Sequence, residues 1–430
     1  MSSTPQPIRG TQSLLGEDAD RFHAVIAAFD RVRRLYGFKR VEVPVIEPTA
    51  VFARTMGETT DVVSKEMYSF DDRSGDSITL RPEFTAGIAR AYLSEGWQQF
   101  APLKVATHGP AFRYERPQKG RFRQFHQLDA EIIGAAEPQA DVEVIAFAGH
   151  LLNELGLKCG VRLQLNTLGD AATRDAWRGA LVEYFNAFRG ELSDESLIRL
   201  DNNPMRILDS KDPGDRAIVA TAPSIDDYIT VEAGERFAEV VIGLDRAGVR
   251  SERNPRLVRG LDYYRHTAFE FVTDQLGAQG TVIAGGRYDG LIEQLGGPRT
   301  PAVGWAAGIE RLAMLIGVPD AEPTELVLIP DDEADLDASN SLLRILRDNG
   351  IRADMAFGGT SKKRYEKARK GSAYRALTVS TSGVEAYAVV RIRDLKNGAP
   401  SIRRRLKEVL ERHFLVHEDE NRTFTLTVNS

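Results

Sequence analysis

One change of rhythm constrains this chain more than any other feature. Up to about residue 320 the strand-like stretches come in groups joined by tight turns, whereas beyond Asp320-Ala-Glu-Pro323 strand and helix alternate at short spacing. Grouped strands fold as an antiparallel sheet with helices on one face, an α+β layout, and β-α-β-α alternation folds as a separate α/β unit. A chain with both patterns must build at least two cores, and its 430 residues supply ample length for them. The expected boundaries are 1–320 and 324–430, with 170–245, helical in period and poor in strand signals, inserted into the first unit.

Phe22, Val25, Ile26, Phe29, Val32 and Leu35 recur every three or four residues between Glu17 and Tyr36, one face of a helix that Gly37 ends. Phe38–Ile46 alternates like a strand, with Pro44 confining it to an edge or an irregular place. Strands are expected at Ser77–Thr85, Leu103–Glu115, Arg121–Gly134, Val161–Leu168, Thr267–Val272 and Thr281–Ala284. A helix is expected from Pro138 to Leu155, and a glycine-rich one from near Gly304, entered by a small-residue strand. The second unit reads strand 325–329, helix 335–348, strand 351–357, helix 361–370, strands 375–380 and 386–392, and helix 401–414.

Several chemistries are excluded at once. The single cysteine, Cys159, forbids an intrachain disulfide or a multi-cysteine zinc cluster and reads as a small buried hydrophobe. The seven histidines contain no His-Glu-x-x-His, no two glycines stand two apart, and no glycine precedes a lysine. Zincin, dinucleotide fingerprint and P-loop are therefore out, and the expected metal ligands from protein side chains are none. With 56 basic and 62 acidic residues the net charge is −6, so a nucleic-acid partner must meet local basic patches. No apolar run approaches the roughly 18–20 residues of a membrane span, and the opening Met1-Ser-Ser-Thr-Pro-Gln-Pro lacks the apolar core of a signal peptide. A cytoplasmic protein without membrane contact is expected.

Alternate residues of a strand share a face. In 121–134 the even positions Phe122, Leu128, Ala130 and Ile132 suit a core, while the odd ones are Arg121, Arg123, Phe125, Gln127, Asp129 and Glu131. Arg113 and Glu115 share a face of the preceding stretch, as do Arg81, Glu83 and Thr85 of the one before. A merely wet face carries Lys and Thr; fixed Arg, carboxylate and one aromatic platform suit a ligand bearing phosphates, an amino group and a flat ring. Leu257-Val-Arg259-Gly-Leu-Asp-Tyr263-Tyr264 sets an arginine and a tyrosine pair just before a strand, and Ala284-Gly-Gly-Arg-Tyr288-Asp-Gly reads as a glycine turn where backbone approaches a ligand. Arg311 falls in the first turn of a helix, beside N–H groups that favour anions.

Phe112-Arg-Tyr-Glu-Arg-Pro117, continuing through Gln124-Phe-His-Gln127 to Glu131, resembles motif 2 of class II aminoacyl-tRNA synthetases; Gly308-Ile-Glu-Arg-Leu312 resembles motif 3, and the 17–48 helix–strand–Pro44 unit motif 1. The Arg259–Tyr264 and Ala284–Gly290 blocks, with Leu80-Arg-Pro-Glu83-x-Thr85, resemble segments peculiar to histidyl-tRNA synthetases, and the similarity extends through Asn203-Pro204-x-Arg206-x-Leu208-Asp209-Ser210-Lys211. Phe84 stands where many relatives have glycine, and Asp129 occupies a variable position.

The resemblance implies a class II synthetase-like antiparallel-sheet catalytic domain with a helical insertion, plus a C-terminal α/β anticodon-binding domain. It implies the substrates histidine, ATP and tRNA(His), Mg²⁺ bound through the ATP phosphates, and a homodimer. Carried over residue by residue, Arg259 and Arg113 are catalytic, Arg113 and Arg259 meeting the α-phosphate from its two sides. Arg121 and Arg311 would grip the outer phosphates, Glu115 the adenine amino group, and Phe125 the ring face. Glu83, Thr85 and Gln127 would receive the α-ammonium; Glu131 and Tyr264 would bond the imidazole, with Tyr263 and Tyr288 completing the histidine pocket. Lys362, Lys363 and Lys367 belong to a basic run read as a tRNA phosphate stripe, with Arg403, Arg404 and Arg405 as a second candidate. The rivals are a regulatory paralogue that assists ATP phosphoribosyltransferase, which typically lacks the C-terminal domain and the Arg-Gly-Leu-Asp-Tyr-Tyr block, and a non-catalytic RNA-binding protein.

Overall fold

The first helix forms where the apolar stripe predicts it. α1 (Glu17–Leu35) carries Glu17, Asp18 and Asp20 in its first turn and Arg33 and Arg34 in its last, complementing the helix dipole. Val25, Ala28, Phe29 and Val32 are buried; Leu35, expected on the same stripe, is exposed, beyond the last buried turn. The computed structural model describes residues 4–57, 60–157, 159–258, 263–277, 280–319, 324–371, 373–381, 388–395, 401–421 and 423–428. The chain divides into two units, Met1–Pro319 and Asp320–Ser430.

The strands of the first unit are β1 (Lys39–Arg40), β2 (Ile46–Pro48), β3 (Tyr68–Asp71), β4 (Ser77–Leu80), β5 (Leu103–Phe112), β6 (Gln124–Ile133), β7 (Arg162–Thr167), β8 (Ser251–Arg253), β9 (Arg265–Val272), β10 (Thr281–Arg287) and β11 (Ala302–Gly308). Eight of them form one sheet in the order β1-β5-β6-β11-β10-β9-β7-β8. It is antiparallel except at its edges, where β1 joins β5 and β8 joins β7 in parallel. On one face Leu128, Ala130, Ile132, Val303 and Trp305 pack with α1, α4 (Pro138–Glu154) and α10 (Ile309–Leu315). The other face is not bare: α3 (Thr85–Ser94) and α9 (Leu291–Gln294) cover one end of it through Ile88, Tyr92, Leu291 and Ile292, against Val105 and Ile133. The uncovered remainder is the floor of a cleft.

Several expectations are corrected. Pro44 has no N–H for a ladder, and the expected 38–46 strand survives only as two-residue β1 before an irregular passage to β2. The 77–85 strand stops at Leu80 and pairs in a separate sheet, β2-β4-β3, so it is not a neighbour of β5 and β6. Arg81 and Glu83 instead sit in the connection to α3, whose first residue is Thr85. Arg113 and Glu115 lie beyond the end of β5, and Arg121 and Arg123 ahead of β6, so none of the four shares a strand face. Phe122, assigned to the core, is half-buried and lines the cleft. The glycine-rich stretch at Gly304 is strand β11, and the helix begins only at Ile309. Ala284–Gly286 likewise lies inside β10 rather than in a turn. Cys159 is exposed, in the bend ahead of β7.

Between β7 and β8 run α5 (Ala171–Ala187), α6 (Asp194–Asn202), α7 (Pro213–Val219) and α8 (Val231–Arg246). Trp177, Leu181, Phe185, Leu200, Ile207 and Ile225 give this insertion its own core, whereas Val240 and Leu244 of α8 pack into the main one. Asp215 is its polar hub: Ser196 and Ser210 hydroxyls donate to it at 2.6 Å and Ser193 at 2.7 Å. Burial alone would raise that carboxyl; these bonds hold it down at about 2.

In the second unit the sheet order is β13 (Ala353–Met355), β12 (Leu326–Pro330), β14 (Arg375–Ser380), β15 (Ala388–Asp394), β17 (Thr423–Val428), β16 (Phe414–Glu418). α11 (Leu336–Asp348) and α13 (Ser401–His413) bury Leu342, Leu346, Leu406 and Leu410 in its core. The terminal hairpin β16–β17 was not expected, although Thr423-Phe-Thr-Leu-Thr-Val428 alternates with period two.

Candidate active site

The cleft over the open part of the main sheet encloses about 570 Å³. Glu83, Thr85, Arg113, Glu115, Arg121, Phe125, Gln127, Glu131, Tyr263, Tyr264, Tyr288 and Arg311 all line it. Residues separated by more than two hundred positions in the chain thus converge because β6, β11 and β10 are adjacent. Arg259 lies outside the described residues.

At one end a closed set of short hydrogen bonds surrounds Glu131. The Thr85 hydroxyl donates to Oε1 and the Tyr288 hydroxyl to Oε2, each at 2.6 Å. Burial nonetheless pushes the Glu131 carboxyl up to about 8. Its position depends on glycine: a Cβ on Gly304, opposite Glu131 in β11, would lie 1.4 Å from Oε2. Gly286 does the same for Tyr264, since a Cβ there would lie 2.8 Å from the ring. Tyr263 and Tyr264 rings stand 4.5 Å apart, and Tyr288 is 5.8 Å from Tyr263. Glu83 accepts the Thr85 and Ala86 backbone N–H groups at 2.8 Å, a carboxylate seated on the N-terminus of α3. Burial raises its carboxyl despite those bonds. Gln127 is buried, lines the cleft and has Oε1 unpartnered.

The other end is rich in guanidinium. Arg113 donates from Nε to the Pro82 carbonyl at 2.9 Å and stands 5.4 Å from the Phe125 ring centre. Arg121 is ion-paired with Glu115. Arg311 donates to the Gly120 carbonyl at 3.1 Å and the Thr281 carbonyl at 2.9 Å, so it straps the loop after β5 to β10. Burial lowers all three guanidinium pKa values, yet arginine stays charged. Glu310, beside Arg311, accepts the His126 backbone N–H at 3.0 Å and its Nδ1 at 2.9 Å, tying α10 to β6. Arg287 is a buried strut, not a ligand group: it pairs with Asp141 of α4 and, at 3.2 Å, with Asp289. Among the described residues no group of three or more His, Cys, Asp or Glu is placed to hold a metal ion.

Such a cleft offers an acidic, aromatic recess for a small cation-bearing molecule beside a row of fixed positive charges for phosphates. A family model described as histidyl-tRNA synthetase matches residues 10–312. The chain is 59% identical over 416 residues to a histidine–tRNA ligase of Novosphingobium aromaticivorans, covering 96% of this chain and 99% of that one. A second histidine–tRNA ligase, from Gluconacetobacter diazotrophicus, is 52% identical over 397 residues, 92% of this chain and 95% of the relative. Among solved structures, apo S. aureus histidyl-tRNA synthetase superposes with a TM-score of 0.76 at 33% identity, covering 93% of this chain and 96% of that one. This chain belongs to the histidyl-tRNA synthetase family. It is an aminoacyl-tRNA synthetase, which uses ATP to ligate histidine to tRNA.

Sequence reasoning missed one group of the synthetase's cleft residues. Arg199, Arg206 and Lys211 reach it from the insertion, and Glu66 from the segment before β3. The Asn203–Lys211 segment was legible as part of the resemblance, but nothing in its spacing shows that it faces the sheet. Outside the cleft, Lys362, Lys363 and Lys367 are exposed on α12 (Ser361–Lys370), whose Ala368 faces the core. The second candidate run is largely engaged: Arg403 pairs with Glu418, and Arg405 with Glu325 at 2.8 Å.

Proposed function

We propose that the two ends of the cleft divide the first reaction between them, histidine in the acidic recess and ATP along the arginines. The observation that carries this reading is the Thr85–Glu131–Tyr288 bond set, an acceptor held where an imidazole N–H needs one. A site that pairs both ring nitrogens leaves its own buried groups unpaired with any analogue lacking them. Glu131 and Tyr264 take the imidazole, Tyr263 and Tyr288 wall it, and Glu83, Thr85 and Gln127 take the α-ammonium. The histidine carboxylate then attacks the α-phosphorus, pyrophosphate leaves, and the adenylate's carbonyl is later attacked by the terminal ribose hydroxyl of tRNA, releasing AMP. Phosphoryl transfer of this kind needs positioning and charge neutralisation more than covalent help.

Arg113 neutralises the α-phosphate, Arg259 acts from the histidine side, and Arg121 and Arg311 hold the outer phosphates. Phe125 carries the adenine ring and Glu115 its amino group; the Arg121–Glu115 pair must open first, each partner exchanging the other for a part of ATP. Mg²⁺ would arrive on the ATP phosphates. The described side chains offer it no cluster of ligands of their own. The exposed lysines of α12 support a phosphate-contacting role for 324–430 as the anticodon-binding domain. The motif 1 resemblance supports a homodimer, and the substrates ATP and tRNA a cytoplasmic place of work.

Histidine-dependent ATP–pyrophosphate exchange tests the reading. Exchange that needs histidine and falls by roughly 10²–10³ in Arg259→Ala, with little change in histidine affinity, is expected. Folded protein without exchange would end it.

A further inference from the structure

Beneath the acidic recess lies a carboxyl that the chemistry above leaves unused. Asp129 stands mid-strand in β6, in register with Thr107 of β5 and Ala306 of β11, on the face that carries Gln127 and Glu131. It is 0% exposed, and neither of its oxygens has a hydrogen-bond partner, nor has Thr107 Oγ1. Four titratable groups face it: Arg81 attracts a charge there, Glu131 and Glu83 repel one, and the Tyr288 hydroxyl, pushed well above its ordinary value, is neutral. Its strand neighbours Thr107 and Ala306 are neutral. Arg81 is already committed, donating from Nε to Pro110 O and from Nη1 to Val43 O, both at 2.8 Å.

Three carboxyls against one guanidinium cannot all be ionised at modest cost in a site closed to water. The donors decide which keeps its proton to the highest pH. Glu83 has two backbone N–H groups and Glu131 has two hydroxyls, each favouring the anion, whereas Asp129 has none. Burial and the two neighbouring carboxylates push Asp129 well above the ordinary range, in the direction this geometry requires.

We propose that Asp129 is a positioning residue of the ammonium seat, holding a proton while the recess is empty and releasing it to solvent when a cationic α-amino group settles by Glu83 and Gln127. The proposal rests on the reading of Glu83, Thr85 and Gln127 as that seat. It makes the site answer the ligand's charge. An ammonium meets a second carboxylate behind the first, while a ligand without one leaves Asp129 neutral and gains nothing from it. Because binding then expels a proton, histidine affinity rises with pH, by up to about tenfold per pH unit for one full proton.

The test is calorimetric titration in phosphate and in Tris, which absorb a released proton with different heats, from pH 6.5 to 8.5. The ligands are histidine, histidinol, which keeps the ammonium, and imidazole propionate, which lacks it. Histidine and histidinol are expected to release up to about one proton more from the unaltered protein than from Asp129→Asn, and imidazole propionate the same from both. Equal counts for all three ligands throughout the range overturn the proposal, as does an Asp129→Asn protein that binds all three more weakly by one common factor. Should Asp129→Asn fail to fold, infrared difference spectra of the unaltered protein decide. A protonated-carboxyl band lost on adding histidinol is expected, and its persistence overturns the proposal. If the unaltered protein binds imidazole propionate as tightly as histidinol, the ammonium seat itself is wrong and the proposal falls with it.

Discussion

The two ends of the cleft are built on opposite plans. In the recess proposed for histidine, Glu131 and Glu83 already hold short hydrogen bonds, and Gly304 reserves the space one of them needs. At the arginine-rich end, proposed for ATP, the side chains hold one another: Arg121 lies on Glu115, and Arg113 stands over the Phe125 ring. One end is prepared to discriminate and the other to rearrange. Discrimination needs groups that become unsatisfied with the wrong ligand, which only a rigid, buried set can do. Every synthetase uses the same ATP, so that end loses little by pairing internally until the nucleotide arrives.

Five experiments break or sharpen this contrast. Glu131→Ala strikes the prepared end, and kcat/KM for histidine is expected to fall by about 10⁴, as when a site loses its partner for a ligand N–H; a loss confined to ATP KM would erase the distinction between the ends. Arg113→Ala is expected to slow pyrophosphate exchange by roughly 10²–10³ with histidine binding nearly intact. Arg121→Ala removes one phosphate contact but also frees Glu115, so ATP KM is expected to rise only about 10–100-fold, the worth of one hydrogen bond to a charged group. Unchanged ATP KM would mean that the pair never opens.

The fourth experiment leaves the cleft. Replacing Lys362, Lys363 and Lys367 with alanine is expected to weaken tRNA binding and to reduce its salt slope by up to about 3, one per phosphate contact, with exchange unaffected. The smallest effect is on stability. Burial raises the Glu131 carboxyl from 4.5 to about 8 and raises Asp129 beside it, so between them the native state holds a proton more tightly than the unfolded chain. Stability contributed here falls as pH rises through that window, and Glu131→Gln should flatten the decline in denaturation midpoint between pH 5 and 8.

Much of the site was legible because period two puts Gln127, Asp129 and Glu131 on one face of β6 and Leu128, Ala130 and Ile132 on the other. What failed was the extension of that rule past the strand ends. Arg113, Glu115 and Arg121 reach the cleft from the loop between β5 and β6, and Glu83 and Thr85 from the entry to α3, where no alternation applies. Their place came from the family resemblance, not from spacing. Glycine misled in β10, where it signals a turn locally, and in β11, where the small-residue run read as the start of a helix. Here it serves instead as vacant volume inside a sheet, a property fixed by Glu131, Tyr264 and the neighbouring strands' backbone arriving from elsewhere. The insertion's Arg206 and Lys211 were legible within the resemblance, but their place over the sheet was not, because no spacing carries it.

The hydrogen atom at Gly304 has an evolutionary cost attached. A methyl group there would have to evict the Glu131 carboxylate and would still press on the Ala130 backbone carbonyl 2.6 Å away, so position 304 stays glycine whatever becomes of Glu131. Drift can therefore reach the carboxyl but not the glycine behind it, and the floor of the recess is fixed by an atom too small to notice.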